Sequence, residues 1–124
     1  MVLASQKTDY WLNLSASMSW KSAKKTTAKE AMGLMENRNA LLIDARLPMQ
    51  YRKVLIKGAL NANRETVQLD LDLGDKRVPI ICHCYSGFSS KTACRNLEQT
   101  GYENVYNLSR GFAAWKRAGG KIEN

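Results

Sequence analysis

The chain is short of acid. Eleven Asp and Glu stand against nineteen Lys and Arg, for a formal net charge of +8. Such a field attracts anions, either nucleic acid or small substrates. The lysines at 21, 24, 25 and 29 cluster, but no aromatic stacking platform or nucleic-acid motif accompanies them. A nucleic-acid partner is therefore not expected. Long apolar runs are also missing; none approaches the roughly 20 residues that a membrane-spanning helix needs, so no membrane partner is expected. The N-terminus lacks the apolar core and small-residue cleavage site of a secretory signal. Cysteine is sparse and odd in number, three residues with two of them at 82 and 84. This argues against a disulfide framework and for a reducing, cytoplasmic setting. A zinc site from Cys82, His83, Cys84 and Cys94 is disfavoured, because three adjacent ligands cannot converge on one tetrahedral ion without distortion. Neither metal nor cofactor is expected.

What remains is an ordinary globular composition, with 44% hydrophobic and 24% charged residues. A chain of 124 residues is long enough to bury a core as one domain. Residues 1–23 carry Tyr10, Trp11, Leu12, Leu14, Met18 and Trp20 without a clear period. They read as an N-terminal extension, either packed or a contact surface. Thr27 and Glu30 form a capping-box pattern. Ala28, Ala31, Met32 and Met35 then share one helical face, which Asn37 to Asn39 end. Residues 41–43 are an apolar run of the kind buried in a parallel sheet, followed by Asp44-Ala45-Arg46. Pro48 opens a single helical turn, and residues 56–60 suggest another short strand. In residues 64–73, Val67, Leu69, Leu71 and Leu73 alternate with polar residues, which suits a strand, although the segment also reads as a helix start. Residues 78–82 form a second buried strand, 91–100 a helix with Ala93, Cys94 and Leu97 inward, 105–108 a third strand, and 111–118 a helix burying Phe112 and Trp115. Residues 119–124 are a tail. Strands alternating with helices predict an α/β domain with a mainly parallel sheet over residues 24–118.

The chemistry centres on residues 80–91, an apolar strand running into Cys84, a loop of small and polar residues, then a helix start. Ligands of an open parallel sheet sit beyond the C-terminal strand ends. Three such ends carry Arg46, Cys84 and Arg110, a thiol and two guanidiniums on one edge. A free Cys titrates at about 8.5, and lowering that by about two pH units requires roughly 2.7 kcal/mol. A helix N-terminus supplies about 0.3–1 kcal/mol, up to about 2 when partly buried; loop N–H groups aimed at the sulfur supply the rest. No general base is needed. Cys82 and Cys94 read as buried small hydrophobes. His83, one residue from Cys84 on a strand, faces the other way and reads as packing or surface.

These segments resemble the rhodanese family of single-domain sulfurtransferases. The likeness is carried by Leu41-Leu42-Ile43-Asp44-Ala45-Arg46 with Tyr51, by Lys57-Gly58-Ala59-Leu60-Asn61 and by residues 80–91. Gly101-Tyr102-Glu103-Asn104-Val105-Tyr106 and Gly111-Phe112-Ala113-Ala114-Trp115 complete it. The resemblance implies a three-layer α/β domain, with a five-stranded, mainly parallel sheet and helices on both faces. It also implies that Cys84 is the catalytic nucleophile and carries a persulfide. Tyr85, Ser86, Gly87, Phe88, Ser89 and Ser90 would form the substrate-binding cradle, with Arg46, Lys91 and Arg110 as further substrate-binding residues. The partners so implied are a small anionic sulfur donor such as thiosulfate and an acceptor that is a thiol or a protein cysteine. Three features depart from the family pattern, the first being Val54-Leu55-Ile56-Lys57-Gly58-Ala59 where many relatives carry Gly-His-Ile-Pro-Gly-Ala. Arg110-Gly111 replaces the usual glycine pair, and Ser89 stands where many active members carry a basic residue.

Rival functions share the scaffold. His83-Cys84 followed by five residues mimics a Cys-x5-Arg phosphate loop, but Ser90 occupies the position of the arginine that would clamp a phosphoryl group. Phosphatase and arsenate-reductase chemistry are disfavoured. A non-enzymatic partner-binding module and a persulfide carrier are the alternatives that keep Cys84 in view.

Overall fold

The computed structural model describes residues 24–62, 65–84 and 90–124, with Thr66 and Lys91 described by backbone alone. The readings made above for residues 1–23 and for residues 85–89 lie outside the described residues. In chain order the elements are β1 (Lys24–Thr26), α1 (Ala28–Arg38), β2 (Leu41–Asp44), α2 (Pro48–Lys53), β3 (Leu55–Ile56), β4 (Leu60–Asn61), α3 (Glu65–Leu73), β5 (Ile80–His83), α4 (Ser90–Gln99), β6 (Val105–Leu108), α5 (Gly111–Arg117) and β7 (Ile122–Glu123).

Five strands form one parallel sheet in the order β1-β6-β5-β2-β4. The two-residue alternation of a strand divides the apolar side chains between its faces. Leu42, Ile81 and Leu108 pack with Ala28 and Ala31 of α1 and with Phe112 and Trp115 of α5. Ile43, Ile80, Cys82 and Val105 pack with Val67 and Leu71 of α3 and Cys94 and Leu97 of α4. Helices thus cover both faces, as parallel sheets require. The capping box is present: Thr27 N donates to Glu30 Oε1 at 2.9 Å, and Glu30 N donates to Thr27 Oγ1 at 3.2 Å. Asn39 ends α1 in the left-handed conformation, φ 53°.

The structure decides two readings that the sequence left open, residues 64–73 and His83, and corrects the single strand expected over residues 56–60. Residues 64–73 are helical from Glu65 to Leu73. Val67 and Leu71, four apart, are buried, while Leu69 and Leu73 are 58% and 79% exposed. The alternation was therefore not a sheet face. Residues 56–60 are two strands rather than one, separated by a turn in which Gly58 has φ 85°. The first of them, β3, pairs antiparallel with β7, so residues of the tail form a strand. His83 is fully buried, which removes the surface half of its reading.

Candidate active site

The sheet order sets the site. From β2 the chain goes to β4 on one side, whereas from β5 it goes to β6 on the other. Strands β2 and β5 are neighbours, so the crevice favoured for ligands in open parallel sheets opens at their C-terminal ends. Cys84 directly follows β5 at that crevice. Arg46 follows β2 by two residues and Arg110 follows β6 by two, which puts all three on one edge of the sheet.

Cys84 is 3% exposed. Its carbonyl accepts the Phe112 N–H at 2.8 Å, one of the donors that helix α5 leaves unpaired at its start. The N-cap of α5, Arg110, makes no side-chain capping bond, so the strand end bearing Cys84 takes that role. On the other side lies Ser90, the first residue of α4, with Oγ 3.6 Å from Cys84 Sγ. The positive end of a ten-residue helix is thereby brought against the sulfur. Ser90 is fully buried, and its hydroxyl bonds to Asn107 Oδ1. Asn107 projects from β6 on the α4 face, in register with Cys82.

The two arginines differ. Arg110 is exposed and sits in the left-handed region, φ 60°, followed by Gly111 at φ 54°. Arg46 is 6% exposed. Its Nε donates to Asp44 Oδ1 and Oδ2, each at 3.0 Å, and its Nη2 donates to Asp44 Oδ2 at 2.7 Å and to Val54 O at 2.6 Å. The guanidinium lies over the Phe112 ring, 4.5 Å from its centroid. This buried fork-to-carboxylate pair joins the ends of β2, α2 and α5 into one support beneath the crevice. The side chain of Lys91 and residues 85–89 lie outside the described residues.

His83 is buried between Asp44 and Phe112. Its Nε2 is 3.6 Å from Asp44 Oδ2, and the ring stacks on Phe112 with centroids 6.4 Å apart. Among the described residues neither ring nitrogen has a hydrogen-bond partner. Burial holds its pKa below the usual imidazole value, with Asp44 pulling the other way and Arg46 adding to the depression. Cys82 and Cys94 are 0% and 1% exposed. The neighbouring Cys94 and burial push the Cys82 thiol well up, so it stays protonated. Among the described residues no three His, Cys, Asp or Glu side chains are grouped to hold a metal ion.

Sequence reasoning missed Asn107 and the role of Asp44. Asn107 did leave a trace, a polar residue inside the apolar run of a buried strand, where an amide needs a partner. Its pairing with Ser90 spans 17 positions and had no local signal.

Comparison with known proteins agrees with this fold. The Rhodanese-like domain family matches residues 27–118. A thiosulfate sulfurtransferase GlpE from Actinobacillus succinogenes is 32% identical over 78% of this chain and 87% of its own length. Its counterpart from Vibrio cholerae is 32% identical over 75% of this chain and 88% of its own. The solution structure of a rhodanese-like domain from Anabaena superposes with a TM-score of 0.71 at 24% identity, covering 81% of this chain and 78% of that one. The chain belongs to the rhodanese-like domain family.

Proposed function

We propose that this protein is a sulfurtransferase that moves sulfane sulfur from a small anionic donor such as thiosulfate to a thiophilic acceptor through Cys84. The observation that carries the reading is the placement of Cys84. It is a thiol at the switch point of a parallel sheet, against a helix N-terminus, on an edge shared with an exposed arginine. The Cys84 thiolate attacks the outer sulfur of thiosulfate. The new S–S bond forms as the bond to the sulfonate sulfur breaks, and sulfite leaves with the electron pair. An acceptor nucleophile then takes the outer sulfur of the Cys84 persulfide and returns the thiolate. With cyanide the product is thiocyanate; with a thiol or a protein cysteine it is a new persulfide.

In this reading Arg110 meets the anionic donor and Lys91 is a second candidate for it. Arg46, bonded to Asp44 beneath the crevice, contributes mainly by holding the edge in shape. The family resemblance assigns the N–H donors for the persulfide to Tyr85, Ser86, Gly87, Phe88 and Ser89, which lie outside the described residues. The three free thiols suit a reducing, cytoplasmic compartment, and no helix among the described residues is long and apolar enough to cross a membrane.

The test is sulfur loading. Incubation with thiosulfate is expected to add the mass of one sulfur, located on Cys84, and cyanide to release it as thiocyanate. Cys84→Ser is expected to lose both signals. Loading that persists in Cys84→Ser, or none in the wild type, would sink the reading. Loading without catalytic turnover would identify a persulfide carrier instead.

A further inference from the structure

Helices α3 and α4 pack on the sheet face that carries Ile43 and Cys82. Each joins two parallel strands, so both run back from the edge that bears Cys84. Between them opens a cavity of about 240 Å³. Thr92, Asn96 and Thr100 line it from α4 and its end, and Gln68 and Asp72 line it from α3. In both helices the interval is four residues, which sets these polar groups in a row along each wall. Ile43, Leu71 and Leu97, all buried, form the floor. Ala45 and Ala62 mark the upper end, where Gln68 Nε2 donates to Ala62 O. Ala45 N donates to His83 O at 2.7 Å, which continues the β2–β5 register and puts Ala45 beside Cys84. Two residues on from Cys82, Cys84 belongs to the same face, and its Sγ meets Ser90 at the start of α4. The groove therefore begins next to Cys84 and leads away from it down the sheet.

Its dimensions and chemistry select an occupant. From Thr92 to Thr100 the groove runs about 12 Å at 1.5 Å per helical residue, the span of three to four residues of extended chain. Its volume falls below the roughly 300–1,000 Å³ of sites for drug-sized ligands, so the occupant is slender. Amides and hydroxyls both donate and accept, as the N–H and C=O groups of a peptide do. Asp72 only accepts when ionised, which suits N–H groups and repels an anion such as thiosulfate. We propose that this groove is the acceptor subsite and takes a short, extended peptide thiol, its sulfur at the Ala45 end and its amides along Gln68 and Asn96 toward Asp72. This rests on the reading of Cys84 as the sulfur-carrying thiol. The peptide thiolate attacks the outer sulfur of the Cys84 persulfide. A new S–S bond forms on the peptide, the bond to Cys84 breaks, and its electron pair leaves on Cys84 as thiolate. Donor and acceptor thus approach from different faces, the anion by Arg110 at the entry to α5 and the peptide between α3 and α4.

The experiment measures sulfur release to two thiols, the tripeptide Cys-Gly-Gly amide and 2-mercaptoethanol, which has no amide to place in the groove. Asn96 is exposed, so it tolerates replacement without disturbing the core. Asn96→Trp, which sets a large ring in the groove, is expected to raise the KM for the tripeptide about tenfold. Asn96→Leu, of similar size without the amide, is expected to raise it about threefold, the worth of one hydrogen bond. In both variants the KM for 2-mercaptoethanol and the rate of loading from thiosulfate are expected to match the wild type. A tripeptide KM unmoved in both, or a KM for 2-mercaptoethanol raised as much, overturns the proposal. Binding without chemistry separates the groove from the function of Cys84. In Cys84→Ser the tripeptide is expected to shift the side-chain N–H signals of Asn96 and Gln68 in NMR spectra, and not that of Asn37 on α1. Signals that stay still, while the wild type loads sulfur and passes it to the tripeptide, sink the groove alone. Signals that shift, while the wild type loads no sulfur, keep the groove as a peptide site and sink the sulfurtransferase reading.

Discussion

At the scale of residues, His83 is a neutral ring kept neutral at a cost. Unfolded, it takes a proton near the ordinary imidazole value of about 6.5. Folded, burial holds that value lower. Below about pH 6.5 the unfolded state therefore binds a proton that the folded state refuses, and stability falls. The contribution is complete above the unfolded value and is lost as the pH drops from there toward the depressed folded one. His83→Phe, which keeps a ring for Phe112 to stack on, removes this proton from the balance. Urea-unfolding curves at about pH 7.5 and about pH 5.5 are expected to show a smaller loss of stability on acidification in His83→Phe than in the wild type. An equal loss in both proteins would contradict the assignment. Sequence reasoning set His83 aside as a catalytic base from strand alternation, and the structure buries its ring against Asp44 and Phe112. It could not see that the ring would meet Asp44, because register between β2 and β5 pairs residues 39 positions apart. Arg46 makes the same point. Its place at a strand end was legible, whereas its inward turn onto Asp44 depends on a local fork that no periodicity encodes.

At the scale of elements, the entry into α5 joins backbone strain to chemistry. Arg110 and Gly111 both have positive φ. Glycine adopts this conformation freely, while a side chain costs roughly 1–2 kcal/mol there. Strain kept on the sheet edge that bears Cys84 points to a use for the side chain. Arg110→Gly is expected to raise stability by about 1 kcal/mol in thermal unfolding and also to raise the KM for thiosulfate. If stability rises and KM does not, Arg110 is not a donor contact. The elements differ in how plainly they could be read beforehand. The buried strands β2, β5 and β6 were legible because each carries a short apolar run, broken in β6 by Asn107, with helical segments around it. Helix α3 was masked by Leu69 and Leu73, exposed residues that counterfeited a sheet period. Strand β1 was not read as one because Lys24 and Lys25 are exposed on an edge and only Thr26 is buried. Strand β7 is two residues long and has its partner, β3, more than sixty positions earlier.

At the scale of the whole molecule, the excess of eight positive charges acts on encounter more than on bonding. The rate of sulfur loading from thiosulfate is expected to fall as sodium chloride is raised from low to physiological ionic strength, while the release of sulfur to a neutral thiol changes less. A loading rate indifferent to salt would reduce the net charge to a matter of solubility. The sheet order has a further consequence, for the life of the chain before it is finished. Residue 24 pairs with residue 106, and β6 lies between β1 and β5. On the ribosome Cys84 is made well before Asn107 and before the strand that closes its side of the sheet. A nascent chain halted in the loop after α4 therefore carries Cys84 without the strand that neighbours β5 on that side. The burial of Cys84 belongs to the completed sheet and arrives with β6.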